Sequence, residues 1–513
     1  MYNRVLIPVR PYSKTKTMLA HITGFTSAFN HASTSLITRH AIKNHLYRSY
    51  NAQYFNMGTP LAASCITTSN RQLSLYRTRQ SDQLAQLAGF NKYVATASEA
   101  QTYPSGYMLP PGIPDMTVED IDLRLQLGET FFKPDSSETA AIRIDKCELA
   151  SNDPTEDRHV SLELQNGSIL LGIFDGHADT QCAEQLTELL PVALQKHLAT
   201  SQDVPRALTD AFVAVDDHLL NLPFQALDGF DSMTIEQIAA LPSTERIKIR
   251  DMILPALSGS CAVMGYIGKE DVYVAHAGDS RVVLGSMSNS GSWVASTLTN
   301  DHQVGNPNEM ATLKKEHPDE LETVAFRHCL DGPLRVIGGL VPTRAFGDAR
   351  YKWPMAVQHK ISALMKGLPS RRRQWPMLRY CLTPPYVHAR PDISHVTLTP
   401  QDCFLVIASD GLFEELSNEH VVNIVGDFLN SSQNKTNSAL YEIRHENVAT
   451  HLLRQALKSG KYDDRHVSRL LTLRPSECRN WRDDILIQVV FLKPALKFLN
   501  STLTLNTLPK LKE

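Results

Sequence analysis

Four times along the chain a short apolar run, the length of one β-strand, stands directly against aspartate. Ser168-Ile169-Leu170-Leu171-Gly172-Ile173-Phe174 leads into Asp175-Gly176-His177. Val272 to Ala277 leads into Gly278-Asp279-Ser280-Arg281, after which Val282-Val283-Leu284 resumes as a partner strand. Cys403 to Ala408 leads into Ser409-Asp410-Gly411, and Asp483-Asp484 stand just before Ile485 to Val490. Runs of this length, bounded by turn residues, predict buried strands. Ala183 to His197 instead has helical spacing at Ala183, Leu186, Leu189, Leu190, Val192 and Leu194, with Pro191 as the expected kink. Glu414 to Leu429 repeats the strand-turn-helix form. Upstream, Val118 to Leu127 predicts a short acidic helix with Thr117 as N-cap and Asp120 in its first turn. Periodicity does not place residues 220–256.

One Asp-Gly after a strand signals only a turn. Four together carry more, because carboxylates at strand ends can converge on one pocket and bind hard divalent cations, with backbone carbonyls such as that of Gly176 as further ligands. No Cys or His pair at ligand spacing accompanies them, which favours Mg²⁺ or Mn²⁺ over Zn²⁺. His445, Glu446 and His451 miss the spacing of a zinc-protease helix and read as a surface helix. The chain has no phosphate loop, no dinucleotide glycine motif and no Gly-x-Ser-x-Gly elbow. A covalent nucleophile therefore has no support, and a metal-activated water remains.

Composition narrows the class. Hydrophobic residues at 42% exclude disorder throughout. No stretch approaches the ~18 consecutive apolar residues of a membrane span, so the protein is not expected to be integral to a membrane. Eight cysteines, none at Cys-x-x-Cys spacing, fit a reducing compartment. The net charge of −3 hides an asymmetry: residues 1–81 contain ten basic residues and no acidic one, leaving −13 for the rest. Arg-rich, Ser/Thr-rich and acid-poor, residues 1–81 predict a mitochondrial presequence, disordered or removed, and a matrix location. A basic tail for nucleic acid is the alternative, opposed by the dispersed arginines and the −13 balance. Residues 82–135 read as an N-terminal arm.

Glu156-Asp157, Asp175-Gly176-His177, Gly278-Asp279-Ser280-Arg281, Thr343-Arg344-Ala345-Phe346-Gly347-Asp348, Ser409-Asp410-Gly411 and Arg482-Asp483-Asp484 together resemble the ordered motif set of the metal-dependent protein Ser/Thr phosphatases of type 2C. Within that family the chain looks most like the phosphatases of the mitochondrial pyruvate dehydrogenase complex. The stretches that point there include Asn300-Asp301-His302, Gly339-Leu340-Val341-Pro342, Tyr351-Lys352-Trp353 and Leu382-Thr383-Pro384-Pro385-Tyr386. The resemblance implies an α+β fold: a four-layer α-β-β-α sandwich, two antiparallel sheets flanked by helices, with a dinuclear metal site at one end. The catalytic domain would span 136–495, with an insertion at about 220–256, a flap at about 350–385 and a C-terminal tail at 496–513.

The resemblance also implies roles. Asp175 would bridge two Mg²⁺ or Mn²⁺ ions, the Gly176 carbonyl would bind one, Asp410 and Asp483 would complete the pair, and Glu156 and Asp157 would act through waters. A water between the two cations then attacks phosphorus without a phosphoenzyme. His177 would be the general acid for the leaving oxygen; a loop histidine capping a turn is the plainer reading. Asp279 matches the position of a third, weaker cation, with a carboxylate capping the Gly278–Ser280 turn as its alternative. Many relatives hold substrate phosphate with an Arg four residues before the Glu-Asp pair; Asn152 stands there, a substrate-binding candidate without charge or fork. Arg344 reads as a structural partner of carboxylates, and Arg371-Arg372-Arg373 as a solvated run or a dock for an acidic protein surface.

The implied substrate is phosphoserine on the decarboxylase component of the pyruvate dehydrogenase complex. The implied partners are lipoyl domains of its acetyltransferase core and a regulatory subunit. A matrix phosphatase of the branched-chain keto-acid dehydrogenase and a non-catalytic pseudophosphatase scaffold are the competing expectations.

Overall fold

Alternation along the apolar strands sets the architecture. In Asp402–Ala408, Leu405 and Ile407 face one hydrophobic core while Phe404, Val406 and Ala408 face another, so the strand is apolar on both sides and lies between two layers. The computed structural model describes residues 101–102, 108–109, 115–327, 332–369, 378, 381–433 and 446–498.

In chain order the principal elements begin with helix α1 (Val118–Gln126) and strands β1 (Thr130–Phe132), β2 (Ala141–Leu149), β3 (Arg158–Glu163) and β4 (Ile169–Phe174). Helices α2 (Gln181–Thr200), α3 (Val204–Leu220) and α4 (Ser243–Leu257) follow, then β5 (Ala262–Ile267), β6 (Asp271–Ala277), β7 (Arg281–Met287) and β8 (Trp293–Thr297). Helix α5 (Met355–Met365), strands β9 (Asp392–Thr397) and β10 (Asp402–Ala408), helices α6 (Asn418–Gln433) and α7 (Val448–Lys458), and strand β11 (Ile485–Leu492) complete the set.

Strands β8-β7-β10-β11-β2-β1 form one antiparallel sheet and β9-β6-β5-β4-β3 the other. Their facing sides share a core that includes Ile144, Ile169, Leu171 and Ile173 as well as Val263, Val274, Val282, Leu405, Ile407, Leu486 and Val490. Gln488 is a buried polar residue in that layer; its amide donates to the Gly172 carbonyl at 3.1 Å and its Oε1 accepts from buried Ser161 Oγ at 3.4 Å, which ties the sheets together and leaves the amide paired. Helices α6 and α7 cover the outer face of the first sheet, and α2 and α3 that of the second. The chain thus folds as the expected four-layer α-β-β-α sandwich.

Helix α1 is capped as its sequence predicts: Thr117 Oγ1 accepts from Asp120 N at 3.1 Å. It buries Ile121 and Leu125 and is pinned by Arg454 of α7, which pairs with Asp122 and, at 2.8 Å, with Asp464. This corrects the reading of His451 as part of a surface helix. Residue 445 lies outside the described residues, but His451 and Arg454 on α7 are both buried. The physical reason is that α7 is covered by α1 on one side and by the sheet on the other.

Between α3 and β5, residues 220–256 form short helices at Leu222–Ala226 and Ile235–Ala239 and then α4, which buries Ile249, Ile253 and Ala256 and packs against α2, α3 and α5. A satellite core of Val304, Val324, Val336, Ala345, Tyr351, Cys381 and Tyr386 supports the segment between β8 and β9. Residues 1–81, the Arg371–Arg373 triplet and everything after Phe498 lie outside the described residues. Among those described, no helix is long and apolar enough to cross a membrane.

Candidate active site

The strand-ending aspartates meet at one end of the sandwich. Asp175 follows β4, Asp279 precedes β7 and Asp410 follows β10, and one oxygen from each lies within 4.8 Å of the others. Because β4 belongs to one sheet and β7 and β10 to the other, the cluster spans the mouth between the sheets. Rigid strand ends hold such groups in place despite their repulsion.

That repulsion is large. Burial pushes the Asp175 carboxyl well above the usual carboxylate range, and Asp410, Asp157, Asp279 and Asp483 push it further. Burial, then Asp279, Asp483 and Glu414, do the same to Asp410. Burial also raises Asp279, with Asp301 adding to it, although hydrogen bonds from Cys261 and Gln303 work in the opposite direction. Oxygen-only donors, with Asp279 buried and Asp175 and Asp410 half-buried, repel one another and fit a hard divalent cation, which would restore the charged form of each.

The flanking acids are buried too. Glu156 and Asp157 are 7% and 5% exposed, so they are not a surface pair. Asp157 Oδ2 accepts from Ser409 Oγ at 2.7 Å, linking it to the strand end that carries Asp410. Burial raises Asp157, and the adjacent Asp484 adds to that. Asp484 latches the 151–156 loop: it accepts from the backbone N–H groups of Ser151, of Asn152 at 2.8 Å and of Glu156 at 2.8 Å, and from Asn152 Nδ2 at 3.0 Å. The Asn152 amide is thereby directed at a carboxylate of the protein. Asp483 pairs with Arg479 and accepts from Asp484 N at 2.7 Å. Burial raises its carboxyl, which the nearby Arg479 offsets in part. Asp279 does not cap its own turn; its oxygens accept from Cys261 Sγ at 3.1 Å and Gln303 Nε2 at 3.3 Å.

His177 is placed by a miniature sheet. Gly176–His177 pairs with Gly259–Ser260, which pairs with Phe346–Gly347, all antiparallel. Asp348, the next residue, takes a left-handed conformation (φ 48°) and sets its Oδ2 2.6 Å from His177 Nε2. A Cβ on Gly259 would lie 2.1 Å from that nitrogen and 2.3 Å from that oxygen, so only glycine leaves room for the pair. Gly176 likewise passes where a Cβ would lie 2.5 Å from the Glu156 carbonyl oxygen. Burial favours neutral His177, but the Asp348 charge and hydrogen bond outweigh it and raise the imidazole pKa. The ring is therefore a bound partner of Asp348 and not the cap of a turn.

Of the sequence-predicted site residues, Asp175, Asp279 and Asp410 meet directly, and Gly176 and His177 follow Asp175 in the chain. Asp157 is tied to the Asp410 strand end through Ser409, and Asp484 links Asn152, Glu156 and Asp483. Two functional residues carry no assignment from sequence: Asp348 and Asp484. Both stand inside recognisable motifs, Asp348 closing Arg-Ala-Phe-Gly-Asp and Asp484 closing Arg-Asp-Asp, so the signal is present without a partner to give it meaning. Arg344, read as structural, does pair with carboxylates: Glu309 at 2.7 Å and Asp392 at 2.6 Å.

Residues 145–464 match the family described as protein phosphatase 2C. The chain is 31% identical over 454 residues to human mitochondrial pyruvate dehydrogenase (acetyl-transferring) phosphatase 2, covering 73% of this chain and 83% of that protein. It is 33% identical over 388 residues to a protein phosphatase 2C homolog of Schizosaccharomyces pombe, covering 68% and 80%. Against mitochondrial pyruvate dehydrogenase (acetyl-transferring) phosphatase 1 of Saccharomyces cerevisiae the identity is 30% over 418 residues, covering 69% of each chain. With most of its described sandwich inside that match, and Asp175, Asp279 and Asp410 gathered at the sandwich's mouth, the chain belongs to the protein phosphatase 2C family and is a protein serine/threonine phosphatase.

Proposed function

We propose that this phosphatase works with two Mg²⁺ or Mn²⁺ ions in the mitochondrial matrix, removing phosphate from serine on the decarboxylase component of the pyruvate dehydrogenase complex and so reactivating it. The observation that carries the chemistry is the Asp175–Asp279–Asp410 cluster beside the His177–Asp348 pair. Support for the substrate comes from relatives named as pyruvate dehydrogenase phosphatases across most of the chain.

Asp175, Asp410 and Asp483, with the Gly176 carbonyl, would hold the pair of cations, Glu156 and Asp157 acting through waters and Asp279 serving a third, weaker one. When bound, such a pair polarises the phosphoryl group and lowers the pKa of a coordinated water. The chain's own residues do the rest. Asp484 fixes the loop that carries Glu156 and Asp157 against β11. Asp348 engages His177 Nε2, which leaves Nδ1 as the nitrogen able to give a proton to the departing serine oxygen. Asn152 would contribute one neutral hydrogen bond to substrate at most, because Asp484 already engages its amide. Affinity then depends on contacts outside the pocket, such as docking to lipoyl domains or a regulatory subunit, which raises the effective concentration of substrate.

The deciding experiment is phosphate release from phosphorylated pyruvate dehydrogenase complex, with Mn²⁺ or Mg²⁺, beside an equimolar phosphorylated branched-chain keto-acid dehydrogenase complex. Fast metal-dependent release from the first alone is expected. Equal rates on both would remove the substrate assignment, and no release with either metal would point to a scaffold without turnover.

A further inference from the structure

A phosphate ester that enters this mouth meets a wall of carboxylates: Asp175, Asp279 and Asp410 together, with Glu156, Asp157 and Asp483 around them. Two bound cations offset only part of that charge, so a dianionic substrate needs positive charge from the protein as well. Most nearby arginines are committed elsewhere. Arg158 donates to the carbonyls of Thr155 and Asp157, each at 2.7 Å, and to Glu184 at 2.8 Å. Arg281 is forked onto both oxygens of Asp301 at 2.7 and 2.6 Å. Arg482 is buried and points Nη2 at the Ala150 carbonyl, 2.7 Å away.

Arg479 differs. It follows the short helix Pro475–Cys478, four residues before Asp483, and one nitrogen, Nη1, pairs with Asp483 Oδ2. Its side chain is 55% exposed while that of Asp483 is 15% exposed, so the pair reaches from the cluster toward solvent. The ion pair aims it at the cluster, and its charge acts on Asp410 and Asp175 as well as on Asp483. A guanidinium carries five N–H donors in a planar fork that matches two phosphoryl oxygens, and the contact to Asp483 occupies one end of it.

We propose that Arg479 grips the substrate phosphate, its guanidinium held by Asp483 on one edge and closing on phosphoryl oxygens with the other. This rests on the phosphatase reading above and adds to it the positive charge that Asn152, neutral and engaged by Asp484, does not supply. It also gives the Arg479–Asp483 pair a purpose: the half-buried carboxylate orients a guanidinium whose side chain is still 55% exposed.

The test is calorimetric binding of inorganic phosphate to the Mn²⁺-loaded full chain, beside steady-state hydrolysis of p-nitrophenyl phosphate, for wild type, Arg479→Ala, Arg479→Lys and Arg479→Ala combined with Asn152→Arg. In Arg479→Ala the phosphate Kd and the KM are expected to rise together, by roughly ten- to a hundredfold as for a lost charge-assisted hydrogen bond, while kcat moves less. Lysine should recover part of the loss, a charge without the fork, and arginine at position 152 should recover more. Arg474→Ala, which removes an arginine paired to Glu477 on the same segment, should change neither quantity. Unchanged phosphate Kd in Arg479→Ala, or an equal loss in Arg474→Ala, would overturn the proposal. If Arg479→Ala melts well below wild type, Arg479→Gln takes its place under the same criteria. Failure of the phosphatase reading looks different: the wild type would show no metal-dependent hydrolysis, while phosphate binding would still judge Arg479.

Discussion

Asp348 Oδ2 lies 2.6 Å from His177 Nε2 although 171 positions separate them, and the contact exists because three two-residue strands run side by side. The carboxylate raises the imidazole pKa against the effect of burial. Asp348→Asn keeps the size and a hydrogen-bonding atom but removes the charge. The expected result is a fall in kcat of about a hundredfold or more, the usual scale of general acid catalysis, with little change in phosphate Kd. A kcat within about twofold of wild type on a phosphoserine peptide, negligible on that scale, would show that the pair serves the fold alone.

Gly259 gives the same relationship a steric test. A methyl group there would overlap both partners, at 2.1 Å from His177 Nε2 and 2.3 Å from Asp348 Oδ2, so Gly259→Ala must displace the pair from its present positions. Its kcat should drop as far as that of Asp348→Asn, and the double variant should fall little further, since both changes break one unit. Additive losses in that cycle would refute a shared cause.

The strand-ending aspartates are legible because an apolar run that stops at a carboxylate is a one-dimensional pattern, visible at Phe174-Asp175 and Ala408-Ser409-Asp410 without any tertiary knowledge. The partnership of His177 with Asp348 is not. It depends on Gly259 passing between them, and two-residue strands leave no periodicity to read. Helix α4 escapes for another reason: Ile249, Ile253, Pro255 and Ala256 are buried against several helices, so no single apolar stripe marks it, and Pro255 argues locally against a helix. Asp484 is, in sequence, only the last residue of a motif; the folded 151–156 loop supplies the N–H groups that make it a latch.

Repulsion within the cluster predicts a trade between cation binding and bare stability. Burial and neighbouring carboxylates raise Asp410 far above its ordinary range, so in chelator its charge opposes folding. Asp410→Asn should therefore melt several degrees above wild type in chelator. Added Mn²⁺ should raise the melting temperature of wild type strongly and that of the variant weakly, because binding to the folded state alone stabilises it by mass action. Equal responses to Mn²⁺ would remove Asp410 from the site. Activity with Mn²⁺ should be lost in the variant.

Behind Asp348 sits a buried ion pair with a positioning task. Lys352 Nζ lies 2.8 and 2.7 Å from the two Asp216 oxygens and 2.7 Å from the Ala345 carbonyl, while Gly347 N donates to Asp216 Oδ1 at 3.0 Å. Helix α3 thereby holds the backbone one residue before Asp348. Asp216→Ala strands the Lys352 charge and should cost about 3–5 kcal/mol, read as a lower denaturant midpoint at unchanged m-value. Asp216→Leu with Lys352→Met should regain most of that stability yet leave kcat reduced, since neither side chain can hold Gly347. Full recovery of kcat would make the pair purely structural.

His276 supplies a pH dependence that is independent of catalysis. It is 2% exposed on β6, stacked on His302 at 4.0 Å between ring centroids, with Nε2 3.0 Å from the Gly278 carbonyl. Burial first, then the neighbouring His302 and Arg344, bring its pKa down to about 3, against the opposing pull of Asp392 and the Gly278 hydrogen bond. The unfolded chain binds this proton below about 6.5 and the folded chain does not. Stability from this group is therefore complete above that value and is lost as pH falls toward about 3, at no more than about 1.4 kcal/mol per pH unit. In His276→Phe, which keeps a ring on His302 but cannot take a proton, the decline in unfolding free energy from about pH 6.5 to about pH 4.5 should be visibly shallower than in wild type. The lost hydrogen bond lowers stability at every pH by a constant amount, so the slope alone reports the titration. Parallel slopes in the two proteins would mean that His276 is protonated in the fold and that its stacking on His302 survives the charge.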